Sequence, residues 1–378
     1  MSAPVTGVAT SITAFIGTAL HGPTDAPGSV NSFIDFERLY GGLWAQSTLG
    51  YAVRQFFLNG GSQALIVRVE GDGAGGITDA DIIASLPRLR QVDLFNLLCI
   101  PPLKRRGGDV GKETWDAAVA YARSRSAFVI VDPAEHWATA EDVLNASTGV
   151  ASVVTAKDNA AIYFPRILAS DPLTEAVDSF APGGTIAGIF ARTDLQRGVW
   201  TAPAGIQAAM AGVLGLSLGG STNAGKITDA DNAKLNPAGI NCLRSFPVYG
   251  DVVWGARTLQ GADALASSWK YIPVRRLGLY IGDSIDRGTR WVVFEPNAPS
   301  LWAQITLGVS NFMHTLFTQG ALKGATPAEA YFVQCDSSTM TQDDIANGIL
   351  IIEIGFAPVR PAEFVIIRVM QQTSVQNS

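Results

Sequence analysis

Five segments between Val92 and Leu168 leave few folds open. "FNLLCIPPL", "TWDAAVAYARSRS", "AFVIVDPA", "TAEDVLNAS" and "AAIYFPRIL" read as strand, helix, strand, helix and strand. The strand segments are apolar runs, as strands covered on both faces require, and "TWDAAVAYARSRS" is amphipathic. Strands separated by helices of this length form a mostly parallel α/β sheet, because a parallel return needs a long crossover. Earlier in the chain, "TSITAFIGTA" alternates as a strand does, "LGYAVRQFFLNGG" reads as a helix ended by Gly60 and Gly61, and "QALIVRV" is a second strand. A glycine-rich link, "EGDGAGG", follows.

Past this region the pattern loosens between Gly198 and Pro247 and returns to strand in "GDVVWGARTL". "VRRLGLYIGDSI" then places Val274, Leu277, Ile281 and Ile285 on one helical face. "WVVFE" reads as a strand. "SLWAQITLGVSNFMHTLFTQG" repeats the helical pattern with Leu301, Ile305, Val309, Phe312 and Leu316, and Gly320 closes it. Three strands are expected to follow, in "AEAYFVQC", "GILIIEIGFA" and "PAEFVIIRV". The expected class is α/β plus α+β: residues 1–90 an N-terminal arm and α+β segment, 91–270 an α/β domain, 271–378 an α+β domain. "ITDAD" occurs twice, at Ile77 and Ile227, where Thr-x-x-Asp fits a helix start.

Composition narrows the function. Of 378 residues, 16% are charged and 47% apolar, with no run of ~18 uninterrupted apolar residues that would suit a membrane span. Such a chain either has a large core or hides much of its exterior against other subunits. A net charge of −6 argues against a nucleic-acid partner. Cys99, Cys242 and Cys335 are far apart and odd in number, as expected of buried thiols in a reducing compartment. The N-terminus lacks the basic region of a signal peptide, so the chain reads as made in the cytoplasm.

The candidates for chemistry fail one by one. "GLSLGG" contains Gly-x-Ser-x-Gly around Ser217, but a nucleophile elbow needs a strand before the serine and a helix after it. Here "PAGIQAAMAGVLGL" reads as helical and "GGSTNAG" cannot start a helix. Of the three histidines, His21, His136 and His314, the last lies in an apolar helix and reads as packed or interfacial. Asp132, His136 and Ser217 form a conceivable triad order, although Asp132 and His136 straddle a proline. Gly71, Gly73 and Gly76 match a dinucleotide fingerprint, yet the next strand ends in two prolines instead of the acid that would hold a ribose. No His or Cys pair has metal-ligand spacing, and no phosphate-binding loop is present. No catalytic, cofactor-binding or metal-binding residue is assigned.

Six stretches in order resemble the contractile tail sheath family of bacteriophages and related injection machines. They are "AVRQFFLNGGSQALIVRV", "RTDLQRGVWTAPAG", "GDVVWGARTL", "YIPVRRLGLYIGDSIDRGTRWVVFEPNAPSLWAQI", "GALKGATPAEAYFVQCD" and "IGFAPVRPAEFVIIRV". The resemblance implies a subtilisin-like α/β middle domain without protease function and a C-terminal domain facing an inner tail tube. It implies stacked hexameric rings in a helical array, with the tube protein, baseplate and tail terminator as partners, in a virion or phage-tail-like particle assembled in the host cytoplasm. The tube-facing element would be the helix from about Pro299 to Leu322, offering Gln304, Thr306, Asn311, His314 and Gln319, with Lys323 just beyond. These residues alternatively only solvate a packed helix. A C-terminal arm, Glu363, Phe364, Val365, Ile366, Ile367, Arg368 and Val369, would add a strand to a neighbour's sheet. Longer family members carry an additional extended stretch before the counterpart of "GVATS", so a shorter N-terminal arm is expected here. Ion pairs between subunits would draw on Arg275, Arg276, Asp283, Asp286 and Arg287.

Overall fold

A computed structural model describes residues 4–71 and 76–361. Its centre is an eight-stranded sheet in the spatial order Gly250–Trp254, Asn241–Phe246, Ala160–Phe164, Phe128–Val131, Leu97–Cys99, Thr13–Gly17, Ala64–Arg68, Gly28–Val30. The inner six run parallel and only the two edge strands are antiparallel. Thr13–Gly17, Phe128–Val131 and Ala160–Phe164 are buried at every position. Their apolar runs thus reflect cover on both faces, since helices pack above and below a parallel sheet. The sheet crosses residue 90 without a break. A separate core gathers around Leu277, Ile281, Ile285, Leu301, Ile305 and Val309.

Helix Gly183–Arg197 lies unusually close to helix Leu49–Leu58. A Cβ at Gly184 would fall on the carbonyl oxygen of Ala52, and one at Gly188 would come 2.5 Å from that of Phe56. The two glycines, one turn apart, are what allow the backbones to touch. The repeated "ITDAD" does start helices: Thr78 with Asp81, and Thr228 with Asp231, form reciprocal capping boxes.

Three elements differ from expectation. "AAIYFPRIL" is two strands, because after Pro165 the chain leaves the large sheet. Arg166–Ser170 joins an antiparallel four-stranded sheet with Val177–Phe180, Gly215–Ser217 and Ala224–Gly225. "PAGIQAAMAGVLGL" is not helical but an extended strap along the edge strand Gly250–Trp254. Met210 N–H donates to Asp251 O at 2.9 Å, and Val253 N–H to Ala208 O at 3.1 Å. Gly205 (φ +89°) and Gly212 (φ +73°) bend it, and those left-handed turns override the helix propensity of its alanines. "WVVFE" continues as a 3-10 turn, Arg290–Phe294, after helix Ile272–Thr289. A four-residue apolar run does not by itself distinguish strand from helix.

The C-terminal part adds helix Pro299–Thr318 and a hairpin of Tyr331–Gln334 with Glu353–Phe356. The expected strand "PAEFVIIRV" lies, from Ala362 onward, outside the described residues.

Candidate functional site

In an open α/β sheet, ligand sites lie beyond the carboxyl ends of the strands, where the strand order reverses. That point falls here between Thr13–Gly17 and Leu97–Cys99, and the space above it is almost full. A cavity of about 30 Å³ remains, lined by Thr48, Tyr51, Cys99, Asp132, Arg166 and Gly183 among others. This is room for one or two waters and for no metabolite. Asp132 follows its strand directly and accepts a hydrogen bond from Gly183 N–H at 2.8 Å. Burial pushes its carboxyl up to about 7, against the lowering pull of Arg166. The Cys99 thiol is buried beside it and held well above its ordinary value by desolvation. Such a thiol is inert, not nucleophilic. All three cysteines are free and buried, as expected.

Arginine–carboxylate pairs close the crevice. The Arg105 guanidinium lies against both the Tyr51 and Phe180 rings, 4.3 and 4.6 Å from their centroids, which are themselves 5.3 Å apart, and pairs with Asp171 and Asp178. Arg166 pairs with Asp109. Ser217 sits under this network at the end of strand Gly215–Ser217 and is 1% exposed. Its hydroxyl donates to Ser221 O at 2.7 Å and lies 2.7 Å from Ser179 Oγ. It is therefore a buried serine at the end of a strand, where the sequence predicts a helix before it. The segment after it is a two-residue strand, Ala224–Gly225, where an elbow needs a helix. Asp132 bonds Gly183, and exposed His136 stacks edge-on against Trp137. The conceivable triad is not assembled. Of the dinucleotide-like glycines, Gly73 lies outside the described residues. Among the described residues no cluster of His, Cys, Asp or Glu could hold a metal ion, and no helix is long and apolar enough to cross a membrane.

The exposed faces are more informative. Helix Pro299–Thr318 buries Leu301, Trp302, Ile305, Val309, Phe312, Met313 and Leu316. Gln304, Asn311, His314 and Gln319 are exposed, Thr306 is half-buried, and Lys323 is exposed just beyond the helix. Leu307, which the sequence reading passed over, stands 62% exposed between Gln304 and Asn311 on this outer stripe. A leucine out of phase with the apolar face was the signal for it.

The residues expected to pair between subunits are mostly engaged within the chain. Arg276 is buried against Asp194, and Arg287 pairs with Asp93 and Asp283. Arg275 donates to Asn159 Oδ1 at 2.5 Å and covers the Trp269 ring. Asp286 pairs with Arg290 at the surface. The arm, Glu363 to Val369, lies outside the described residues.

Comparison with known proteins completes the picture. A family model described as the phage tail sheath C-terminal domain matches residues 266–372. The helical sheath of the anti-feeding prophage in its contracted state is 31% identical, over 98% of this chain and 95% of that one, with a TM-score of 0.75. The chain belongs to the contractile tail sheath family. This sheath chain is also similar to the sheath of an extracellular contractile injection system in its contracted state, with 29% identity, 98% and 94% coverage and a TM-score of 0.77. Among curated proteins it is 28% identical over 199 residues to a prophage major tail sheath protein of Pseudomonas aeruginosa, covering 53% of this chain and 48% of that protein. The tail sheath protein of Burkholderia phage BcepMu is 27% identical over 217 residues, covering 57% and 43%. The sheath chain thus spans about half the length of the curated relatives it matches.

Proposed function

We propose that the chain is a structural subunit of a contractile sheath. It polymerises as stacked hexameric rings around an inner tube, and contraction of the array drives that tube through a target envelope. The likeness to a contracted helical sheath over 98% of the chain carries this reading. The surface agrees with it. Leu195, Val248, Val293 and Leu307 stand 84, 82, 70 and 62% exposed, and neighbouring subunits in an array would take them out of water.

The subunit does no catalysis, and contraction is a switch between packings of whole subunits. What supports this is the filled crevice: the place where an α/β enzyme keeps its site holds paired side chains instead. We read the body as subtilisin-like on the strength of its six parallel strands and the helices against them, with residues 271–378 as the tube-facing domain. The outer stripe of Gln304, Leu307, Asn311 and His314 meets the tube through neutral contacts, and the baseplate and a terminator cap the two ends. The particle is assembled in the host cytoplasm.

Electron microscopy of the purified chain tests the reading. Long tubes or stacked rings are expected, and a strictly monomeric species under all conditions overturns it. A similar chain, 29% identical, occurs in the baseplate of the anti-feeding prophage. Single rings without stacking would instead mark a non-contractile, sheath-like cap or terminator component.

A further inference from the structure

Helix Ile272–Thr289 belongs to two cores. Ile272 packs into the body with the large sheet, whereas Leu277, Ile281 and Ile285 belong to the C-terminal core. Along this helix Arg276, Tyr280, Ser284 and Gly288 recur every four residues and form one stripe. The segment from Pro4 to Thr10, which forms no strand, runs along that stripe. Val8 N–H donates to Ser284 Oγ at 3.2 Å, and Arg276 Nη2 donates to Thr10 O at 2.8 Å. Val5 lies against Gly288, and Gly7 lies so close to the Tyr280 hydroxyl that any side chain there would displace it.

Arg276 also reaches into the body. Its two Nη atoms donate to the two carboxylate oxygens of Asp194, at 2.8 and 2.6 Å, and its guanidinium lies 4.8 Å from the Phe190 ring centroid. Both side chains are nearly buried, at 4 and 3% exposure. One guanidinium thus joins the C-terminal helix to helix Gly183–Arg197 and to the start of the chain. A buried pair of this kind adds little net stability, but it admits one geometry, and loss of either partner strands the other charge.

We propose that Arg276, Asp194 and the segment Pro4–Thr10 form a coupling that makes the body and the C-terminal module one mechanical unit. Its use in a sheath rests on the function proposed above: motion of the body would reach the tube-facing helix through this junction. The coupling itself is a property of the dispersed chain and is tested there.

The full-length chain is compared with Asp194→Asn and with Gly7→Val, which lifts the segment without touching the charge pair. Calorimetry and hydrogen exchange are the readouts. The unmodified chain should melt in one transition. Each variant should melt in two, with exchange at least ~10-fold faster over residues 4–10 and 277–289 and unchanged in Phe128–Val131. A single transition in both variants, with exchange raised equally in the sheet and in the C-terminal module, would mean that these groups only stabilise, and it would overturn the coupling. So would two transitions in the unmodified chain. Should Asp194→Asn fail to fold, Gly7→Val decides alone. Absence of tubes from the unmodified chain refutes the sheath reading and leaves this result standing.

Discussion

Asp132 is a carboxyl group held in the wrong medium for its charge. Its carboxyl lies at about 7 in the folded chain against 3.8 ordinarily, and the leading cause is burial. Between those values the folded chain holds a proton that the unfolded chain has lost. This group's contribution to stability therefore falls as pH rises from about 4 to about 7, by at most about 1.4 kcal/mol per pH unit. Asparagine can still accept from Gly183 N–H and carries no charge to desolvate. Asp132→Asn should accordingly match the parent near pH 4 and exceed it in stability at pH 8. Denaturant unfolding of both chains at the two values checks this, and an equal difference at both would refute it. The aspartate was legible in the sequence as the end of a buried strand. Its environment was not, because Arg166 and Gly183 reach it from segments 34 and 51 residues away. Ser217 shows the same limit: the string Gly-x-Ser-x-Gly is visible, but whether a strand or a helix precedes it depends on what the strap from Pro203 lies against.

At the scale of elements, the contact between helices Leu49–Leu58 and Gly183–Arg197 rests on the absence of a Cβ at Gly184 and Gly188. Gly184→Ala would gain up to about 1 kcal/mol of helix propensity. The new methyl group would meet the backbone of Ala52, which no rotamer change can move aside. Overpacking of that kind costs about 1–3 kcal/mol, so the net effect should be destabilising. A thermal melt of the alanine variant checks the sign, and a stabilised protein would show that the helices can separate freely. The parallel strands were legible because an apolar run bounded by turns has few other uses. The strap from Pro203 and the turn Arg290–Phe294 were not, since both are decided by neighbours: an edge strand in one case, the end of a long helix in the other. Gly205, Gly212 and Gly215 did punctuate the strap at intervals that a helix tolerates poorly.

On the scale of the whole molecule, assembly and tube contact are separate properties and are tested separately. Removing Glu363–Ser378 should leave a folded chain that forms no tubes, by the arm reading; normal tubes from the truncated chain would refute it. The tube contact can be separated from assembly by its chemistry. The outer stripe of helix Pro299–Thr318 carries Gln304, Leu307, Asn311 and His314 and no Lys or Arg. Opposite charges on two surfaces attract less as salt rises, whereas neutral polar and apolar contacts barely respond. Binding of the chain to its tube protein should therefore change less than ~3-fold between low and high salt, unlike an ionic interface. Leu307 is the one large apolar group on that stripe, and it is 62% exposed in the single chain. Leu307→Glu should leave the fold within about 0.5 kcal/mol of the parent, since among the described residues its side chain stands mostly in solvent. The same change should weaken tube binding at least ~10-fold, because a carboxylate would lose its water at the contact. Co-sedimentation with preformed tubes, beside a thermal melt of the variant, separates the two effects. Unchanged tube binding with a lowered melting point would place Leu307 in the chain's own packing and move the tube contact to another face.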